Sequence, residues 1–97
     1  MKIILIAHDK PGSLELRKSV RPQHLAYLEL ISGKIAYGGP LLDPDGQPCG
    51  SVIIYNVDSR DEAEQLISED PYTKAELFGH VEIRGFRTVV RDGVVTG

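Results

Sequence analysis

The sequence predicts a single α+β domain whose elements follow the order β-α-β-β-α-β. Three observations lead to this prediction. The chain has 97 residues, a length at which one hydrophobic core is the rule. Four of its segments are rich in apolar and β-branched residues, and two segments between them repeat apolar residues at helical spacing. Clusters of glycine, proline and aspartate separate these segments, as is typical of turns.

The first strand is predicted at Lys2 to His8, where nearly every residue is apolar and several are β-branched. Such a run is typical of a central strand that is covered on both faces. The apolar stretch is too short for a signal peptide and lacks a small-residue cleavage site. A helix follows the strand, with Ser13 as its predicted N-cap.

Pro22 is predicted to divide this helical region into two parts. Proline disfavours helical geometry at the preceding residue, Arg21, and suits the first turn of a new helix. We therefore predict a short helix, a kink at Arg21, and a second helix from Pro22 to about Ser32. Gly33 is the predicted C-cap of this second helix.

The middle of the chain predicts two strands joined by a turn. The first is a short strand at Ile35 to Gly38, and the second is a longer one at Gly50 to Val57. The connection between them, Leu41 to Gly50, contains the stretch Asp43-Pro44-Asp45-Gly46 and, after it, Pro48. This composition is typical of a turn.

The last third of the chain predicts a helix and a strand. The segment Ser59 to Glu62 has the pattern of a capping box and begins the helix. Pro71 interrupts the helix, and Thr73 to Phe78 is predicted to form another helical turn or two. The last strand is predicted at His80 to Val90, with a β-bulge at Gly85, where the apolar alternation changes phase.

The order β-α-β-β-α-β is the ferredoxin-like pattern, in which helices cover one face of an antiparallel sheet. The strands are apolar with little polar alternation, which indicates that the other face is also covered. A second copy of the chain is the predicted cover. A domain of this size buries only roughly 60–65% of its unfolded surface, so pairing would add to its core.

Composition limits the partners of the chain. The formal net charge of -3 argues against nucleic acid or an anionic membrane as the main partner. No segment approaches the ~20 apolar residues of a membrane span, and a cytoplasmic protein is expected. Cys49 is the only cysteine, and the three histidines lack metal-ligand spacing. No metal and no cofactor are therefore predicted.

Two polar residues occupy positions where helical spacing predicts apolar ones. His24 shares a helical face with Leu28, and Asp70 falls on the inward side of the next helix. Buried polar groups are costly unless they are satisfied, and a mutual hydrogen bond would satisfy both. It would also create a general acid/base dyad, because a carboxylate orients its imidazole and raises its basicity. Two alternatives stay open: a backbone carbonyl could satisfy His24, and Asp70 could cap the helical turn after Pro71.

Six further residues are candidates for contacting a substrate: Tyr72, Arg17, Arg21, Gly39, Pro40 and His8. The tyrosine could offer its hydroxyl, although a packing tyrosine is an equal alternative. The two arginines could bind an anionic group, although helix arginines are more commonly solvated. The glycine and the proline would shape a cleft wall. His8 ends the first strand and is a reserve candidate.

Several short motifs, taken together, resemble the YciI (YCII-related) family over roughly Lys2 to Val90. They are Asp9-Lys10, Arg17, Arg21-Pro22-Gln23-His24-Leu25, Gly39-Pro40 and Asp70-Pro71-Tyr72. The resemblance implies a ferredoxin-like fold that dimerises as an α+β barrel. It also implies an active site built on a His-Asp dyad in a cleft, which matches His24 and Asp70. Muconolactone isomerases are related α+β barrels, and a dehydrochlorinase is similar to this family. Residues from about 91 to 97 have no counterpart in the resemblance and are expected to form a flexible tail.

The sequence thus predicts a small enzyme without a cofactor, in which His24 is the general acid/base and Asp70 orients it. Proton abstraction next to a carbonyl, followed by isomerisation or elimination, suits a single base without a metal or a nucleophile. The alternative is a non-catalytic dimeric module that binds a small ligand or a partner protein. The identity of the small-molecule substrate does not follow from the sequence.

Overall fold

The computed structural model describes residues 1–97 and contains four long strands, three α-helices and a short C-terminal hairpin. In chain order the elements are β1 (Lys2–Asp9), α1 (Leu14–Leu30), β2 (Ile35–Leu42), β3 (Pro48–Asn56), α2 (Arg60–Glu69), α3 (Pro71–Lys74), β4 (Phe78–Phe86), β5 (Val90–Arg91) and β6 (Val94–Val95). The long strands form one antiparallel sheet in the order β2-β3-β1-β4. The predicted ferredoxin-like order and antiparallel sheet are confirmed.

The helices cover one face of this sheet, which we call the helix-covered face. Alternate residues of a strand point to opposite faces, and directly paired residues of antiparallel strands share a face. The odd-numbered residues of β1 and of β3 are buried beneath the helices. Together with Val57, just after β3, and two residues of α2 they make the core: Ile3, Leu5, Ala7, Ile53, Tyr55, Val57, Ala63 and Ile67.

The opposite side of the sheet, which we call the open face, has no helix against it. It carries the even-numbered apolar residues Ile4, Ile6, Val52 and Ile54, which the register pairs across β1 and β3. These four side chains are half-buried. Tyr37 of β2 pairs with Ile54 on the same face and is 78% exposed. The open face therefore carries an apolar strip along β1, β3 and β2, and next to this strip β4 places the Glu82–Arg84 ion pair on the same face.

The predicted division of the first helical region is wrong, because α1 is a single helix with Pro22 inside it. Proline removes one backbone hydrogen bond from the helix. Tertiary contacts of α1 outweigh this loss, since Arg17 and His24, two turns apart on one side of the helix, are both buried. The helix ends at Leu30 with Ile31 as its C-cap, and Gly33 lies in the 3₁₀ turn that follows, so the predicted C-cap is wrong as well.

The start of α2 follows local sequence signals. The Ser59 hydroxyl accepts a hydrogen bond from the Glu62 backbone N–H, as in a capping box. The Glu62 carboxylate reaches back to the backbone N–H of Asp58 rather than to that of Ser59. No helix of the structure is long and apolar enough to cross a membrane.

The segment between α2 and β4 differs from its prediction. The helical turn begins at Pro71 and ends at Lys74, and the strand has already begun at Phe78. Asp70 lies between the two helices in extended conformation, with φ -64° and ψ 130°. This is the conformation that a following proline favours.

The predicted bulge at Gly85 is also wrong, since Gly85 pairs regularly with Ile3. The register shift instead lies at the other end of β4, between His8 and Asp9 of the partner strand. β4 ends at Phe86, and the small hairpin of β5 and β6 occupies part of the segment for which a flexible tail is predicted.

Candidate active site

A cavity of about 400 Å³ lies on the helix-covered face, between α1 and the strands β2 and β3. One wall is apolar and is formed by Leu25, Leu28 and Ile53. The edge strand β2 forms the opposite wall. The polar end is formed by the candidate residues Arg17, Arg21, His24 and Tyr72, and Gly39 and Pro40 also line the cavity. The helices α1 and α3 pack together and so bring His24 and Tyr72 to the same end.

His24 and Asp70 are hydrogen-bonded to each other, with 2.8 Å between His24 Nδ1 and Asp70 Oδ1. The two residues are only 7% and 3% exposed. An ionised carboxylate can only accept, so Nδ1 carries the proton and Nε2 has a free lone pair. Nε2 has no hydrogen-bond partner in the protein, and the ring lines the cavity. The arrangement can accept a proton from a bound molecule.

Asp70 also caps α3. Its Oδ1 accepts the backbone N–H of Tyr72 at 2.9 Å, in addition to the bond from His24. Asp70 therefore makes both contacts that the sequence left open, the hydrogen bond to His24 and the cap of α3. The cap fixes the position of the carboxylate relative to α3, and the carboxylate in turn fixes the imidazole.

Tyr72 stacks on His24, with ring centroids 3.9 Å apart and an angle of 19° between the ring planes. Arg17 also contacts this ring, because its guanidinium carbon lies 4.5 Å from the ring centroid. Burial raises the pKa of Tyr72, although the charges of Arg17 and Arg21 act in the opposite direction. The hydroxyl consequently stays protonated at neutral pH and can donate a hydrogen bond.

Arg17 is a buried ion-pair partner and not the solvated arginine that is common on helices. It is 3% exposed and binds both carboxylate oxygens of Asp9, at 2.6 and 2.9 Å. Its Nη2 also donates to the Ser51 hydroxyl at 2.9 Å. Burial alone would lower the pKa of Arg17, but the Asp9 carboxylate outweighs burial and raises it.

Arg21 differs from Arg17 because it is exposed and forms no ion pair. The charge of Arg17 is balanced by Asp9, whereas that of Arg21 is not balanced by a neighbouring carboxylate. Arg21 is therefore a cation at the cavity that no carboxylate of the protein holds in an ion pair. An anionic group on a ligand would be attracted there.

His8 does not reach this cavity. It lies on the open face, opposite His80 of β4, and the two ring centroids are 6.0 Å apart. His8, the reserve candidate for a substrate contact, is therefore not part of the cavity lining, because it occupies an even position of β1. A larger cavity of about 600 Å³ also lies away from the dyad, beside Tyr37 and the segment that follows β4. The chemistry of the side chains, and not cavity size, therefore identifies the candidate site.

Sequence reasoning missed two residues of the site, Asp9 and Ser51. Both bind Arg17, and Ser51 also lines the cavity. Ser51 could have been found, because it is a polar residue at an inward position of the apolar strand β3. No group of three or more His, Cys, Asp or Glu side chains is arranged to hold a metal ion.

Comparison with known proteins gives the family of the chain. Residues 1–87 match the sequence profile of the YCII-related domain. The chain belongs to the YCII-related family. It is 35% identical to Protein YciI of Escherichia coli O6:H1 over 97 aligned positions, which cover 92% of this chain and 99% of the relative. An uncharacterized protein of Haemophilus influenzae is 29% identical over the same shares of the two chains.

Solved structures support the same fold. The 5-chloro-2-hydroxyhydroquinone dehydrochlorinase of Burkholderia phenoliruptrix, in complex with 2,5-dihydroxybenzoquinone, superposes with a TM-score of 0.83. It is 36% identical, and the match covers 90% of this chain and 94% of that one. A NIPSNAP family protein of Agrobacterium tumefaciens shares the fold alone, with a TM-score of 0.51 and 21% identity over 87% of this chain and 90% of that one. A structural relative of this chain is therefore an enzyme.

The Arg17–Asp9 pair yields a test of stability. We expect Asp9→Asn to lower the free energy of unfolding by about 3–5 kcal/mol, because it leaves a buried guanidinium without its counter-charge. Glu64→Gln is the matched control, since it removes the carboxylate from the exposed Arg60–Glu64 pair. That change should cost less than about 0.5 kcal/mol. Urea unfolding measures both, and equal effects of the two variants would contradict the structural role of the pair.

Proposed function

We propose that this protein is an acid/base enzyme that needs no cofactor and acts on a small ring compound. His24 is its catalytic base and Asp70 is the partner that orients it. One observation carries the proposal: His24 Nδ1 is bonded to Asp70 Oδ1 at 2.8 Å, while Nε2 is unpaired at a cavity. A buried imidazole fixed in this tautomer is suited to accept a proton.

In the proposed reaction, His24 Nε2 removes a proton from a carbon next to a carbonyl group. The electron pair of the broken C–H bond moves toward the carbonyl oxygen, and Asp70 stabilises the imidazolium that forms. Arg21 and the Tyr72 hydroxyl, both at the cavity, stabilise the developing oxyanion. Loss of an anionic leaving group then completes an elimination, or return of the proton to another carbon completes an isomerisation.

Two features support a small ring compound as substrate. The cavity of about 400 Å³ has apolar walls and the exposed cation Arg21 in its lining, which suit a planar ring with oxygen substituents. The dehydrochlorinase from Burkholderia phenoliruptrix, at 36% identity, is similar over nearly the whole chain. We therefore propose an elimination of hydrogen chloride from a chlorinated hydroxyhydroquinone as the first reaction to test.

In this substrate a proton first moves from a ring hydroxyl to the chlorine-bearing carbon, which gives a keto tautomer. His24 Nε2 then takes the proton of another ring hydroxyl, the O–H electron pair forms a second C=O bond, the ring double bond shifts toward the chlorine-bearing carbon, and chloride leaves, so that the products are a hydroxyquinone and HCl.

Release of chloride from 5-chloro-2-hydroxyhydroquinone measures this activity. We expect turnover by the parent protein and a reduction of kcat/KM by about 10²–10⁴-fold in His24→Ala, because the variant lacks the base. Glu29→Ala, at an exposed position of the same helix, is the control and should be as active as the parent. If the parent binds small aromatic or lactone acids in a thermal-shift screen but transforms none of them, the binding-module alternative is correct.

The orienting role of Asp70 is tested without a substrate. Asp70→Asn keeps the shape of the side chain but removes the charge that stabilises imidazolium. We expect the midpoint of the NMR titration of the His24 ring to move to lower pH. His80, which lies on the open face, is the internal control in the same spectra. A His24 titration identical in the parent and the variant would show that the carboxylate does not act on the ring.

We also propose that two copies of the chain pair through their open faces into an α+β barrel. The half-buried apolar residues of that face and the exposed Tyr37 support this, since apolar patches of this kind mark interfaces. Sedimentation at micromolar concentration should give twice the 10.7 kDa mass of one chain.

Tyr37→Glu should shift this protein toward the monomer, because it adds a charge to the proposed interface. Leu30→Glu is the control, because Leu30 is 82% exposed at the end of α1 and lies outside the open face. A monomeric parent protein would contradict the proposed pairing.

A further inference from the structure

Ser51 is a buried serine that lines the candidate cavity and has no role in the proposed reaction. It lies on the helix-covered face of β3, where the register places it between Ala7 of β1 and Pro40 of β2. The residue is 3% exposed. A hydroxyl at such a position needs hydrogen-bond partners, because burying it without them is costly.

Arg17 is the one hydrogen-bond partner of the Ser51 side chain in the protein. Its Nη2 donates to Ser51 Oγ at 2.9 Å, so the serine oxygen is the acceptor in this pair. A guanidinium has donors only and cannot accept the serine proton in return. The Ser51 O–H is therefore left to donate to a group other than Arg17, and it does so at the border of the cavity.

The lining of the cavity shows what kind of group this hydroxyl can meet. No carboxylate and no amide side chain belongs to the lining. Its two arginines, Arg17 and Arg21, have no acceptor atom, and the free acceptor of His24 is Nε2, the proposed base. The cavity thus offers several donors beside a single base. It matches a ligand whose ring oxygens are hydrogen-bond acceptors.

Arg17 makes the Ser51 hydroxyl a stronger donor than an ordinary serine. Hydrogen bonds in a chain polarise one another, so a cation bound at Oγ increases the positive charge on the hydroxyl proton. The bonds from Arg17 to Asp9, at 2.6 and 2.9 Å, hold the guanidinium in place. The donor is therefore fixed before a ligand binds, as in sites that stabilise a negatively charged oxygen.

We propose that Ser51 donates a hydrogen bond to an ionised ring oxygen of the ligand, so that the cavity selects ring compounds in anionic form. This oxygen is a different one from the oxygen whose proton His24 removes. A hydrogen bond to a charged acceptor is about twice as strong as one to a neutral acceptor. Ser51 therefore determines specificity for charge. The choice of a ring compound rests on the proposed function, whereas the hydrogen bond can be measured without turnover.

Isothermal titration calorimetry with 2,5-dihydroxybenzoquinone tests the contact, because both hydroxyl groups of this compound are ionised at neutral pH. Ser51→Ala should weaken its binding by about 10–100-fold, as expected for the loss of a hydrogen bond to a charged group. Ser19→Ala is the matched control, because this serine is exposed on α1 and its hydroxyl donates to the Leu16 carbonyl oxygen. Its affinity should equal that of the parent. Equal affinities of Ser51→Ala and the parent, or a parent that binds no 2,5-dihydroxybenzoquinone, overturn the proposal.

A second ligand separates direct contact from an indirect effect, since Ser51→Ala also removes an acceptor of Arg17. Hydroquinone has the same six-membered carbon ring with two oxygens but keeps its protons at neutral pH. We expect the parent to bind hydroquinone at least about 10-fold more weakly than 2,5-dihydroxybenzoquinone, and Ser51→Ala to reduce this difference. If the parent binds both equally, or the variant weakens both by the same factor, Ser51 does not recognise the charge and the proposal is wrong.

A crystal structure of the parent with bound 2,5-dihydroxybenzoquinone gives a readout that depends on no variant. We expect a ligand oxygen about 2.5–2.7 Å from Ser51 Oγ. A ligand whose oxygens all lie beyond hydrogen-bond distance of Ser51 would overturn the proposal. If the ligand binds at Ser51 but the chlorinated substrate is not turned over, the proposed function is contradicted and this contact stands, so the two failures are distinguishable.

Discussion

The carboxylate of Asp70 is the group on which both the local fold and the candidate site depend. Because Pro71 follows it, Asp70 is extended and the helical path is interrupted between α2 and α3. The interruption turns the carboxylate toward the start of α3, where it accepts the Tyr72 N–H and the His24 ring N–H. The same cap directs Tyr72 onto the face of the imidazole. One dipeptide, Asp-Pro, therefore ends a helix, begins another and fixes the histidine.

The buried polar side chains of the site occur in hydrogen-bonded pairs, which offsets part of the cost of burying them. Arg17 and Asp9 form one pair, and His24 and Asp70 form the other. The pairs differ in what they can do. Arginine keeps its proton at every relevant pH, so its pair is a fixed support for the Tyr72 ring. The imidazole of His24 is an acid/base group with a ring nitrogen that no protein group occupies, so the second pair is the one suited to chemistry.

The elements predicted best from the sequence are those whose formation depends on neighbouring residues. The apolar run of β1 and the cap of α2 at Ser59 form as predicted, because neighbouring residues determine them. The polar residues at helical core positions, His24 and Asp70, could be singled out because burial without a partner is costly. The kink predicted from Pro22 does not divide the helix, because the burial of α1 against the rest of the protein outweighs the one hydrogen bond that proline removes. The partner of Arg17 could not be predicted from spacing, because Asp9 reaches it only after the chain has turned from β1 into α1.

The edge strand β2 links the two faces of the sheet. Gly38 pairs with Ile53 on the helix-covered face and lines the cavity, whereas Tyr37 is exposed on the open face. A Cβ atom at Gly38 would lie 3.1 Å from the Val52 carbonyl oxygen and 3.3 Å from the Ile53 side chain. The close approach of β2 to β3 therefore depends on a residue without a side chain, and this same approach sets the width of the cavity. Tyr37 and Gly38 are neighbours in β2 but lie on opposite faces of the sheet. A partner bound at Tyr37 would therefore also restrain the cavity wall at Gly38.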